Sequence, residues 1–206
     1  MTMGRKKTHM RMNVGRSVAR AARSGVLLAA MLAAGCSAPV RTYMHPEADM
    51  SFYTRVGVVP FRSLTSDPFA GQKFSGEFTT SLLAAGLFEV VDPGVFGTAL
   101  SQVTGSRTPE DALTLDQLKK IGEVGGVQGI FVGTVSQYEM SSTSSGSFPV
   151  ITVEARLIDL STGTVVWKTS VADRGGPKSP IIGVNEIHTL GGLAQDISRR
   201  MVAKLK

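Results

Sequence analysis

Cys36 is the single cysteine of this 206-residue chain, and its surroundings decide what its thiol can do. It stands directly behind Met31, Leu32, Ala33, Ala34 and Gly35, at the end of eleven small or apolar residues that begin at Gly25. Upstream lie seven basic residues (Arg5, Lys6, Lys7, Arg11, Arg16, Arg20 and Arg23) and no acid. A basic start, a short apolar stretch and small residues before a cut point make a secretory signal. Met10 or Met12 as the first residue would each give a more usual basic segment. Eleven residues rise ~16 Å as a helix, about half of a bilayer core, so this run is not a permanent span. After Cys36 no thiol remains, which excludes thiolate catalysis and cysteine metal sites. His45 and His188 are the histidines beyond that point, one in a polar stretch and one near the final helix, and each reads as a surface residue rather than a ligand. No Gly-x-Ser-x-Gly, His-Glu-x-x-His or Ser-x-x-Lys constellation appears with its partners. The glycines between Ile121 and Gly129 fall where a helix gives way to a strand, whereas a phosphate cradle leads from strand into helix.

The Leu32-Ala33-Ala34-Gly35-Cys36 ending resembles the bacterial lipobox, with the large aliphatic residue one position further from the cysteine than is common. The resemblance implies a thiol alkylated with diacylglycerol, cleavage after Gly35 and acylation of the new amino terminus. Each buried CH₂ of an acyl chain contributes ~0.8 kcal/mol, so three chains, palmitate among them, form a durable anchor. Where such families carry Asp after the cysteine the protein stays at the inner membrane; Ser37 stands here, which implies the outer membrane. The alternative is an ordinary cleaved signal with a chance cysteine.

Charge then reads differently. Seven of the 22 Lys and Arg precede Cys36, leaving 15 against all 16 Asp and Glu, a net of about −1 in place of the +6 of the whole chain. On that balance no basic patch is expected to remain for nucleic acid or an anionic membrane surface. The organisation expected is a signal over residues 1–35, a lipidated polar tether over 36–54 with a random-coil reach of ~20–25 Å, and one folded domain over 55–206.

Within that domain the apolar run at 55–61 predicts a strand buried on both faces that ends at Pro60. After a loop at 62–68, a helix over 71–85 carries Phe74, Phe78 and Leu82, with Leu83 beside them. A short strand at 88–92 closes at Pro93 and Gly94, and a short helix follows with Val95, Phe96, Ala99, Leu100 and Val103. Thr114 and Gln117 form a capping box for a helix with Leu115, Leu118, Ile121 and Val124. Strands are expected at 129–139, 148–160 and 164–172. In the middle one Ile151, Val153, Ala155 and Leu157 face inward while Thr152, Glu154 and Arg156 face water. Asp159 to Gly163 makes a tight hairpin and the serines of 141–147 a looser one. A Gly/Pro loop at 175–183 precedes a last helix over 185–205. The order βαβααβββα gives an α/β (α+β) fold, a mixed sheet of about five strands with helices packed on it.

The order of Val56-Gly57-Val58-Val59-Pro60-Phe61, Gly86-Leu87-Phe88-Glu89-Val90-Val91-Asp92, Gly129 to Val135 and Ala155 to Trp167 resembles the lipoprotein superfamily of the curli-secretion channel subunit CsgG and the penicillin-binding-protein activator LpoB. That resemblance implies a fold related to the amino-terminal domain of TolB and a protein-binding role in the cell envelope. The sequence departs from both relatives. A transmembrane β-hairpin needs strands of ~9–11 alternating residues, but Glu154 and Arg156 occupy the outward face of the one strand long enough. A tether of 17 or so residues is too short to reach an inner-membrane enzyme. The expected function is therefore a non-enzymatic outer-membrane lipoprotein that presents a periplasmic protein-binding or assembly surface. It would have no cofactor or metal, and its partners would be the membrane, an envelope protein or further copies of itself. The alternative is a ring-forming subunit of a curli-type export complex; a synthase activator or a carboxylate enzyme comes after these. Trp167 reads as core packing. Ile181 and Ile182, an apolar pair in the Gly/Pro loop, read as docking on their own domain or as a partner contact.

Overall fold

The computed structural model describes residues 40–107, 113–144, 146–176 and 186–206. The chain divides into units 1–36 and 37–206, and every described residue belongs to the second.

A seven-stranded mixed sheet organises this unit, with four helices packed on it among the described residues. Strand β2 (Arg55–Val58) runs parallel to both β4 (Glu89–Val90) and β5 (Gly129–Thr143). Its continuous apolar run is explained by burial on both sides. Val56 is fully buried on one face, and on the other Phe96 lies so close to Gly57 that an added Cβ would fall 2.4 Å from the ring. Pro60 breaks the strand, since it has no N–H for a ladder. The chain then rejoins β5 as β3 (Arg62–Ser63), in the segment expected to be a loop.

β5, β6 (Gly146–Asp159) and β7 (Val165–Arg174) form an antiparallel meander. The expected loose link at 141–147 is instead ladder: Ser141 pairs with Phe148, Ser142 with Ser147 and Thr143 with Gly146. Serine and threonine tolerate a pleated edge as readily as a loop, so composition alone misjudged it. At the other end Gly163 adopts φ 75° and closes the β6–β7 turn as anticipated.

The polar segment ahead of β2 is also part of the fold. Arg41–Met44 forms β1, antiparallel to β7 at the sheet edge, and Tyr53 is buried in the core. Two inward positions, Thr42 and Met44, are too few to announce a strand among polar neighbours. Pairing supplies what periodicity lacks: the His45 amide continues the ladder by donating to the Val166 carbonyl at 2.9 Å.

Helix α1 (Ala70–Ala85) lays Phe74, Phe78 and Leu82 on the sheet, fully buried, but turns Leu83 to solvent. Helix α4 (Leu190–Val202) joins it on the same face with Leu193, Ile197 and Met201. It begins at its Thr189 cap, later than expected, because Ile187 is held in a bridge to Gly176. Trp167 and Phe131, both fully buried, meet edge to face at 5.9 Å beneath these helices. Helix α2 (Pro93–Thr104) and helix α3 (Leu115–Gly125) build a second, smaller core on the opposite face. Pro93 and Gly94, read as a turn, are the first turn of α2. Asp92 accepts from the Gly94 and Val95 amides, and proline suits the first helical position. The capping box of Thr114 and Gln117 forms as expected, while Leu115 and Val124 stay exposed.

Candidate binding site

The second sheet face is covered by α2 and α3 only toward β2. Over β6, β7 and β1 it is open, and strand register decides what stands there. Ile151, Val153, Ala155 and Leu157 point into the main core, so the even-numbered residues of β6 point outward. Arg156 pairs with Lys168 on one side and Val132 on the other, and Lys168 pairs with Tyr43. In the next row Arg41, Ser170, Glu154, Thr134 and Arg62 lie in line across five strands. These two rows hold four cations, Arg41, Arg62, Arg156 and Lys168, against one carboxylate. That carboxylate, Glu154, is taken up by Lys168 at 2.9 Å.

A groove of about 1360 Å³ opens where β2 ends at Pro60. It runs from α1 across the outward rows of β5 and β6 to the starts of α2 and α3. Val132, Ile158, Leu118 and Val165 are among its apolar lining, and three arginines, Arg62, Arg107 and Arg156, with one carboxylate, Glu154, line it as charges. The stem of Arg107 is set against α2: its Cγ and Cδ lie 3.7 Å from where a Cβ on Gly97 would stand. Phe69, 61% exposed, stands among the lining residues near α1. Among the described residues none of these three arginines joins an ion pair, and all three are exposed. The expectation that no basic patch remains is thereby corrected. Near-neutral net charge conceals segregation, because residues as far apart as 41 and 168 become neighbours only through pairing.

Two further polar clusters serve architecture. Burial pushes Asp159 upward, but hydrogen bonds from Ser161, Thr162 and Tyr53 outweigh it and hold the carboxyl below its ordinary value. The Tyr53 hydroxyl donates to Asp159 at 2.9 Å, and burial together with that carboxylate holds the phenol protonated well above its usual range. This pair locks the segment ahead of β2 onto the β6–β7 turn; a phenol so held is a poor nucleophile or base. Arg200 of α4 pairs with Asp173 of β7 and, at 3.0 Å, with Asp196, all three largely buried, and so fastens the helix to the sheet.

Of the residues singled out in the sequence, Trp167 lies in the core as read. His188 pairs with Glu186 at 2.9 Å beside the ring of Phe148. Gly35, Cys36, Ile181 and Ile182 lie outside the described residues. The bridge in which the Gly176 amide donates to the Ile187 carbonyl at 2.9 Å marks the base of the segment that holds the two isoleucines. Among the described residues no group of three or more His, Cys, Asp or Glu could hold a metal, and no helix is long and apolar enough to cross a membrane. The outward rows were foreshadowed in the sequence only by the wet face of β6.

The mixed α+β fold is similar to that of solved structures. The dodecameric PelC of Paraburkholderia phytofirmans is similar with a TM-score of 0.56 at 21% identity, over 82% of this chain and 97% of that one. Lipoprotein GNA1162 of Neisseria meningitidis is similar with a TM-score of 0.53 at 21% identity, over 73% and 99%. A weaker likeness to LpoB of E. coli has a TM-score of 0.44 at 17% identity, over 58% and 57%. No protein-family model matches the chain, and the curated proteins contain no significant match.

Proposed function

We propose that this chain is a lipid-anchored, non-enzymatic protein of the bacterial cell envelope, held at the periplasmic face of the outer membrane as a protein-binding or assembly module. The observation that carries the reading is the apolar run ending in Ala34-Gly35-Cys36, with a lone thiol at the cut point and a basic segment before it. The shared fold with a protein described as a lipoprotein supports it. Ser37 after the cysteine favours the outer membrane.

The edge strand sharpens the picture of the anchor. β1 begins at Arg41, so only residues 37–40 separate Cys36 from the sheet, a span of at most ~18 Å. The domain is thus held close against its membrane, where a high effective concentration lets modest affinities suffice. The PelC structure is dodecameric, which supports self-association as one form of the proposed assembly role.

Fractionating cells that express the full chain or its Cys36→Ala variant tests the reading. Wild type is expected in the membrane fraction, carrying label from radioactive palmitate, and the variant unlabelled and free of the membrane. A variant that remained in the membrane fraction would refute the lipid anchor.

A further inference from the structure

We infer that the groove at the end of β2 binds an extended acidic segment of a partner protein that also carries aliphatic side chains. The inference rests on the protein-binding reading above and names the chemistry of the partner.

Three observations lead there. First, the groove sits where a ligand site belongs in an open sheet with a parallel part. β4, β2 and β5 run parallel, Pro60 ends β2 ahead of its neighbour, and the crevice lies outside that carboxyl end. Second, its positive charges are free to recruit, while the one carboxylate in the lining, Glu154, is engaged by Lys168. Arg62, Arg107 and Arg156 converge on it from β3, the end of α2 and β6 without ion-pair partners among the described residues. A guanidinium forks onto a carboxylate with two parallel hydrogen bonds. Third, its extent and lining suit an extended occupant. A groove of about 1360 Å³ runs from α1 across β5 and β6 to the starts of α2 and α3. Its apolar residues Val132, Ile158, Leu118 and Val165, with exposed Phe69 among the lining, offer nothing to a hydrated polyanion. They suit alternate aliphatic side chains of a strand-like peptide whose acidic residues meet the arginines.

The test uses the full lipidated chain in its native cells, with photoreactive benzoylphenylalanine placed at Thr134 in the groove and, separately, at Leu83, which is exposed on α1 and does not line it. Mass spectrometry then reads the captured segment. The Thr134 probe is expected to capture a protein segment of net negative charge containing aliphatic residues. Combining Arg62→Glu, Arg107→Glu and Arg156→Glu is expected to reduce that capture at least ~10-fold, the scale of losing one or more charge-assisted bonds. The milder combination of Arg62→Gln, Arg107→Gln and Arg156→Gln is expected to reduce it in the same direction, and circular dichroism checks that each variant is folded. A lipid or glycan adduct, capture of a second copy of this chain, or capture indifferent to both combinations would overturn the inference. No capture at Thr134 while Leu83 captures a protein would overturn it and leave the protein-binding reading standing. No protein captured from either position or from exposed positions on the other faces would sink that reading as well.

Discussion

Beneath α1 and α4 the sheet excludes water from Trp167, Phe131, Ile151 and Leu157. On the reverse side of the same strands Arg156, Glu154 and Lys168 stand in the open. One face is held by aromatic packing: Phe131 lies 5.4 Å from Phe78, 5.9 Å from Phe88 and 5.9 Å from Trp167, ring to ring. The other has a second core only where α2 and α3 reach. Apolar packing is thus concentrated on one side of the sheet and exposed charge on the other, with β6 supplying both through its alternation.

The largest contrast comes from emptying the packed face. Phe131→Ala removes the ring that links α1 to Trp167 and should cost about 3–5 kcal/mol in urea unfolding, enough to leave a domain of ordinary stability partly unfolded.

A backbone contact sharpens the same face. Gly71 of α1 approaches the Phe61 carbonyl so closely that an added Cβ would lie 1.8 Å from its oxygen. Gly71→Ala must therefore move helix from strand and is expected to lose about 1–3 kcal/mol. Gly76, one turn further along and with nothing within 4 Å of an added Cβ, should instead gain about 0.5–1 kcal/mol on Gly76→Ala. Opposite signs in paired thermal melts would locate the constraint at the first turn of the helix.

Asp159 adds a pH dependence. Its folded-state carboxyl titrates below the ordinary value, so its stabilisation is present above about pH 4 and lost as the pH falls through the folded value. Asp159→Asn should cost about 1–3 kcal/mol at neutral pH, because donors on Ser161, Thr162 and Tyr53 lose their carboxylate. The gap from wild type should narrow as the pH drops below about 4. A constant gap down to pH 2 would show that charge is not what the turn uses.

The smallest effect belongs to the open face. Arg156→Ala should leave unfolding within about 0.5 kcal/mol of wild type, since Arg156 is exposed and unpaired among the described residues.

What the sequence made legible follows the same division. The stripe Phe74, Phe78, Leu82, the inward series of β6, the capping box at Thr114 and the turn at Gly163 each depend on residues close in the chain, so local pattern revealed them. β1 and β3 have four and two residues and exist because β7 and β5 offer edges to pair with, which no local window records. The basic rows were invisible for the same reason. Arg41, Arg62, Arg156 and Lys168 belong to four strands, and the acids elsewhere cancel them in the sum. Cys36 rests on the sequence pattern alone, since it lies outside the described residues.

Urea unfolding of the combined Arg62→Glu, Arg107→Glu and Arg156→Glu variant, run beside Phe131→Ala, tests the division most directly. The charge-reversed protein is expected to unfold close to wild type, within about 1 kcal/mol, while Phe131→Ala falls by several. A charge-reversed protein destabilised as much as the ring deletion would contradict it, and would make the arginines part of what holds the fold together.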